Sequence, residues 1–144
     1  MPEAHPRGAE LIVRLYEIRL TDPYRSAAHW FLGDFSAASW AEIEERWPKG
    51  SRESEALRTV LEHWDLLGAL THGGAIDQAL LFESTGDHLA VWTKLEPWIH
   101  DARHALADPA LFENIELLVN QHERYARTRA PRLARRAEGT VGTS

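Results

Sequence analysis

The chain has 144 residues, 44% of them hydrophobic and 26% charged, with a formal net charge of −6 and no cysteine. That is the length of one domain, able to hide roughly 70% of the surface its unfolded chain would expose. The absence of cysteine excludes disulfide frameworks, zinc ribbons, iron–sulfur clusters and thiol nucleophiles, and the negative charge argues against a body built to coat nucleic acid.

The opening Met1-Pro-Glu-Ala-His-Pro has neither a basic n-region nor an apolar h-region, so no signal peptide is expected. The longest apolar run, Leu66 to Leu70, falls far short of the ~20 residues that cross a bilayer. A cytoplasmic protein without a membrane span is the expectation.

Helix signals then follow one another. Leu11, Leu15 and Ile18 recur at helical spacing and predict a first helix over 9–20, although Ile12, Val13 and Tyr16 also suit a strand. Asp22-Pro23 places a capping acceptor before a proline, which predicts a helix over 23–33. Ser39-Trp-Ala-Glu42 is a capping-box pattern opening a helix over 39–47. Trp40 and Trp47 stand seven apart on it and should clamp it to the body. Pro48-Lys-Gly50-Ser51 is a turn and a cap before a helix over 52–72, and Glu53 and Glu55 suit its positive end. On that helix Leu57, Val60, Leu61, Trp64 and Gly68 fill one side, while Leu66 and Leu70 fill the other. It should therefore be buried on two sides, with the polar wedge of Arg58, Glu62 and Asp65 partly trapped.

Gly73-Gly74 stops this helix, a short one over 76–84 follows, and Gly86-Asp87 opens another over 87–107. Its stripe is Leu89, Trp92, Leu95, Ile99, Ala102 and Leu106. Pro97 removes a bond to the Thr93 carbonyl and predicts a kink. Asp108-Pro109 predicts a last helix over 109–129, with Phe112, Ile115, Val119, His122 and Ala126 inward. The fold class is all-α, a single-domain irregular antiparallel bundle of five to seven helices spanning 1–129, followed by a basic, disordered tail over 130–144.

Four features carry chemistry. Glu62 and Asp65 are one turn apart, and two acids held together push one pKa up, as a general acid requires. The favoured reading is structural, with Arg58 pairing with Glu62 and Arg103 with Asp65. Glu96, His100 and His104 share a helix face, so His100 and His104 are weak metal candidates. A site would need third and fourth ligands from another helix, the paired Glu-x-x-His signature is absent with Asp101-x-x-His104 its single nearest approach, and no metal or other cofactor is expected. His122, inside an apolar stripe, reads as a core histidine bonded to a carbonyl, and His72 suits a helix C-terminus.

Six tryptophans (Trp30, Trp40, Trp47, Trp64, Trp92 and Trp98) are many for this length. They read as packing, with room beside Trp92, Pro97 and Trp98 for an apolar ligand. From 124 to 144 six Arg stand against one Glu, a local charge of +5, which leaves −11 on residues 1–123. Arg127, Arg129, Arg132, Arg135 and Arg136 are expected to fold against the acidic body, with a protein or membrane-surface partner as the next reading and nucleic acid the last. No nucleophile elbow, phosphate loop, dinucleotide fingerprint or basic recognition helix is present.

Several segments together resemble a group of small bacterial helical proteins classed as a domain of unknown function. They are Leu15-Tyr-Glu-Ile-Arg19-x-x-Asp22, Val60-Leu-Glu-His-Trp-Asp-Leu-Leu-Gly68, Gly74 to Phe82, Trp92-x-x-Leu-x-Pro-Trp-Ile99 with Arg103, and Phe112-Glu-Asn-Ile-Glu116, over about 10–125. The resemblance implies an all-helical fold and brings no activity or catalytic residue to carry over, and its polar marks Glu62, Arg103 and Glu116 suggest a buried ionic network joining the long helices. The expected function is non-enzymatic, through an unknown protein partner or self-association, with Glu62, Asp65, Trp92, Trp98 and Arg103 as binding candidates. The alternatives are a small-molecule binder with a tryptophan-lined pocket and a metal-dependent enzyme.

Overall fold

The computed structural model describes residues 7–141, with side chains as far as 129. Seven helices follow one another: α1 (Gly8–Arg19), α2 (Asp22–Gly33), α3 (Trp40–Arg46), α4 (Arg52–His72), α5 (Gln78–Ser84), α6 (Asp87–Ala105) and α7 (Glu113–Val141). No strand occurs among the described residues, so the fold is all-α. The tail expected over 130–144 meets the α7 backbone as far as Val141, while the side chains beyond 129 and residues 142–144 lie outside the described residues.

Local chemistry explains most of the boundaries. Ser51 caps α4, accepting the Ser54 N–H at 3.1 Å, and Gly74 beyond its end takes the left-handed conformation (φ 88°). Ser39 caps α3 by accepting the Glu42 N–H at 3.2 Å. The Glu42 carboxylate returns to the N–H of Ala38 at 2.9 Å, and this bond holds its carboxyl below the ordinary value. At α2 the helix begins one residue early. Asp22 is its first residue, Thr21 is the N-cap without a side-chain cap bond, and the Thr21 hydroxyl instead donates to the Ile18 carbonyl at 2.6 Å.

The larger correction is at α7. Asp108-Pro109 opens a turn, with Asp108 accepting the Ala110 N–H at 3.2 Å, and the helix proper starts at Glu113. Ala107 and Phe112 on either side of this turn take positive φ (50° and 53°), a conformation that costs a non-glycine residue roughly 1 kcal/mol.

α4 lies at the centre. Val60, Leu61, Trp64 and Leu67 are almost completely buried on it. α1 and α2 lie end to end along α4, running against it. Gly8 faces Ala75 and Ile76, Arg19 reaches His63, Tyr24 bonds Trp64, and Trp30 borders Ala56. α7 runs parallel to α4, since Asn114 meets Asp65 while Gln121 meets His72. α6 runs antiparallel to α7, with His88 against His122 and Arg103 against Glu116. Sequential long helices are thus antiparallel, and the first and third are parallel.

α3 closes one end as its two tryptophans predict. Trp47 meets Trp30 edge-on at 5.4 Å between ring centroids, and Trp40 tilts over Trp98 at 6.0 Å. Asp101 of α6 also accepts the Trp40 N–H at 2.7 Å, a cap supplied from another helix.

Two stripes differ from expectation. The outer strip of α4, Arg58, Glu62 and Leu66, faces solvent, with Leu66 52% exposed, so the helix is not buried on that side. The inward stripe of α6 is His88, Val91, Leu95, Trp98, Ile99 and Ala102, while Leu89 and Leu106 are exposed. Both α6 stripes have helical spacing and share Leu95, Ile99 and Ala102, and they differ by a rotation of about half a residue. The helix continues through Pro97, and the Trp98 indole N–H donates to the Lys94 carbonyl at 2.8 Å in the turn the proline loosens.

Candidate functional site

The paired-acid site does not form. Glu62 is exposed and bonds Arg58 at 3.1 Å, so it takes no part in a buried network. Asp65 is half-buried and turns toward α7. It accepts the backbone N–H of Asn114 at 3.2 Å, and Ile115 adds a second N–H. Its partner is therefore the positive end of α7 and not Arg103. Burial raises the Asp65 pKa, and the N–H groups of Asn114 and Ile115 work against that rise.

Arg103 and Glu116 do join, at 2.9 Å, with side chains 12% and 32% exposed. The Arg103 Nε also donates to the Leu111 carbonyl at 2.9 Å, inside the turn that precedes α7. This pair ties α6 to both the turn and the first turn of α7. Arg103→Leu should cost about 2–3 kcal/mol, below the cost of a fully buried break because Glu116 keeps some water. Adding Glu116→Leu should recover part of the loss in a double-mutant cycle of thermal unfolding. An unchanged melting temperature for the single variant would show that the pair is idle.

Trp98 is fully buried and surrounded. Phe35 and Trp40 lie 6.2 and 6.0 Å from it, and none of the described hollows is lined by Trp92, Pro97 or Trp98. A tryptophan does line one hollow, of about 570 Å³ between α2 and the start of α4, but it is Trp30. Trp92 is half-buried on the flank of α6. His100 and His104 are exposed, and among the described residues no three His, Cys, Asp or Glu side chains gather as a metal would need.

A buried polar row was missed. It begins at Arg19, whose guanidinium lies 4.9 Å from the Trp64 ring centroid and donates to His63 Nε2 at 3.2 Å. Arginine has only donors, so Nε2 of His63 is proton-free and the ring is neutral. The Trp64 indole N–H donates to the Tyr24 hydroxyl at 2.8 Å. Beyond Trp64, His88 is completely buried, and its Nε2 meets His122 Nδ1 at 2.7 Å. Nδ1 of His88 has no hydrogen-bond partner among the described residues.

Phe82 stacks on His122 at 4.4 Å, and the row ends where Tyr125 bonds Glu83 and Arg129 pairs with Glu83 at 3.3 Å. Burial lowers the pKa of all three histidines, and His63 and His88 fall to about 4. His122 thus bonds another histidine rather than a carbonyl. Its place in an apolar stripe was the available signal. His88 was hidden by the competing Leu89–Trp92 stripe.

At the outer end of this row Arg19 and Tyr24 reach a surface hollow of about 470 Å³, completed by Arg25, Ala28, His29, Leu32 and Gly33. The exposed face of α1 lies nearby, since the Arg19 guanidinium also sits 5.7 Å from the Tyr16 ring centroid. Among the described residues no helix is long and apolar enough to cross a membrane.

A family model described as a domain of unknown function, DUF4760, matches residues 5–122, which takes in all the described groups from Arg19 to His122. Neither the curated proteins nor the solved structures give a match.

Proposed function

We propose, for a chain that belongs to the DUF4760 family of unknown function, a role exercised by binding, with a second copy of itself as the partner. The observation that carries the reading is the outer face of α1. Val13, Tyr16 and Leu20 stand at i, i+3 and i+7 and are 54%, 52% and 52% exposed. Single exposed apolar residues are ordinary, but three on one helical stripe form a ridge that another helix can pack against.

The charge pattern favours a copy over a foreign helix. Glu10, Arg14 and Glu17 lie along one flank of the ridge. Two copies of α1 packed antiparallel about a twofold axis bring that flank opposite itself. With the axis between residues 15 and 16, Arg14 of each copy stands beside Glu17 of the other, so the pairing is made twice. Asp65, Asp101, Arg103 and Glu116 are already engaged in caps and an ion pair, which supports reading them as framework.

Sedimentation velocity over a concentration series tests this. The expected result is a reversible dimer that Tyr16→Asp abolishes. Arg14→Glu should weaken it, and Arg14→Glu with Glu17→Arg should restore it, because the swap exchanges the signs in both pairs. A monomer at every concentration, or a dimer indifferent to both substitutions, would overturn the reading.

A further inference from the structure

We infer that the hollow between the end of α1 and the outer face of α2 is a binding site for a small oxyanion, a carboxylate or a phosphate. Its polar lining consists of Arg19, Tyr24, Arg25 and His29, and no carboxylate lines it. This is an unusual patch on a chain with a formal charge of −6. Arg25 and His29 are one turn apart on α2 and exposed, so both side chains can reach the same guest. Ala28 and Leu32 give the hollow an apolar side.

Arg19 supplies the second argument. It is half-buried, and no carboxylate lies within ion-pair distance of it among the described residues. Asp87 acts on it from farther away. One of its nitrogens is used on His63, and a guanidinium has five N–H donors in a planar fork that suits an oxyanion. Tyr24 spends its oxygen lone pair on the Trp64 N–H, which leaves its own O–H to donate.

The structural alternative is that Arg19 merely neutralises the negative end of α1, where it stands in the last turn. A helix end carries about half an elementary charge. Two guanidiniums exceed that end and the more distant Asp87 carboxylate together, and the hollow keeps a positive surplus to offer a guest.

The test is an NMR titration of the ¹⁵N-labelled full chain with inorganic phosphate and, separately, with acetate, each against sodium chloride at matched ionic strength. Saturable shifts are expected at the amides of residues 19–33 with at least one of the two anions, and the tighter one identifies the headgroup. Arg25→Gln with His29→Gln, both at exposed positions, should weaken that binding by about tenfold or more while the dispersion of the spectrum stays unchanged. Non-saturating shifts, shifts equal to those in chloride, shifts centred elsewhere, or undiminished binding by the double variant would each overturn the assignment.

Discussion

Gly68→Ala is expected to lower the melting temperature by about 10 °C. In an exposed helix this change stabilises by ~1 kcal/mol, because alanine loses less backbone entropy. At Gly68 the α4 and α7 backbones touch. A methyl built there runs into the Asn114 carbonyl oxygen, and it lies 2.8 Å from the Asn114 carbonyl carbon. Neither atom is the tip of a flexible side chain that can turn aside.

α7 must therefore move outward, and its first turn is held to α4 by the Asp65 bond to the Asn114 N–H at 3.2 Å. Opening the contact also breaks that cap. An overpacking cost of about 3 kcal/mol or more outweighs the propensity gain. Differential scanning calorimetry decides between them. A melting temperature equal to or above that of the unsubstituted chain would mean that the helices are not in contact here.

Acidification is the second large effect. His63 and His88, both buried, carry pKa values of about 4 against an ordinary 6.5. Desolvation is the main cause for each. Arg19 adds repulsion at both, and His122 adds more at His88. Between these two values the unfolded chain binds protons that the native protein refuses. Stability is therefore complete above the ordinary pKa and is lost as pH falls toward the lowered one. It should be level above about pH 7 and decline from about 6.5 to 4, by at most about 3 kcal/mol per histidine.

His88→Phe isolates one share of this decline. Phenylalanine keeps a ring against Trp64 and Phe82, and His122, partly exposed, can turn its freed nitrogen to water. Urea unfolding across this pH range should show a slope shallower by about a third to a half, the rest belonging to His63 and, in smaller part, His122. An unchanged slope would mean that His88 already titrates normally in the folded protein.

The helices are written in local residue patterns. The limits of α4, the capping box of α3 and the stripe Leu57, Val60, Leu61, Trp64 and Gly68 are all legible, because caps and helical spacing act within a few residues of one another. The family resemblance marks Glu62, Arg103 and Glu116 as one network, of which Arg103 and Glu116 pair while Glu62 stays on Arg58 at the surface.

Which groups meet depends on how the helices pack. α7 starts at Glu113 and not at Pro109, since its cap is Asp65, 49 residues before Asn114. Glu62 faces water and Asp65 faces α7, although one turn separates them, because the neighbouring helix covers only one of those directions. His88 and His122 are bonded through the packing of α6 on α7, which fixes which of two equally periodic α6 stripes turns inward. The candidate anion hollow needs residues from two helices that lie end to end, and no local pattern brings Arg19 beside His29. Period and capping are short-range, whereas burial and pairing depend on which surfaces the whole chain brings together.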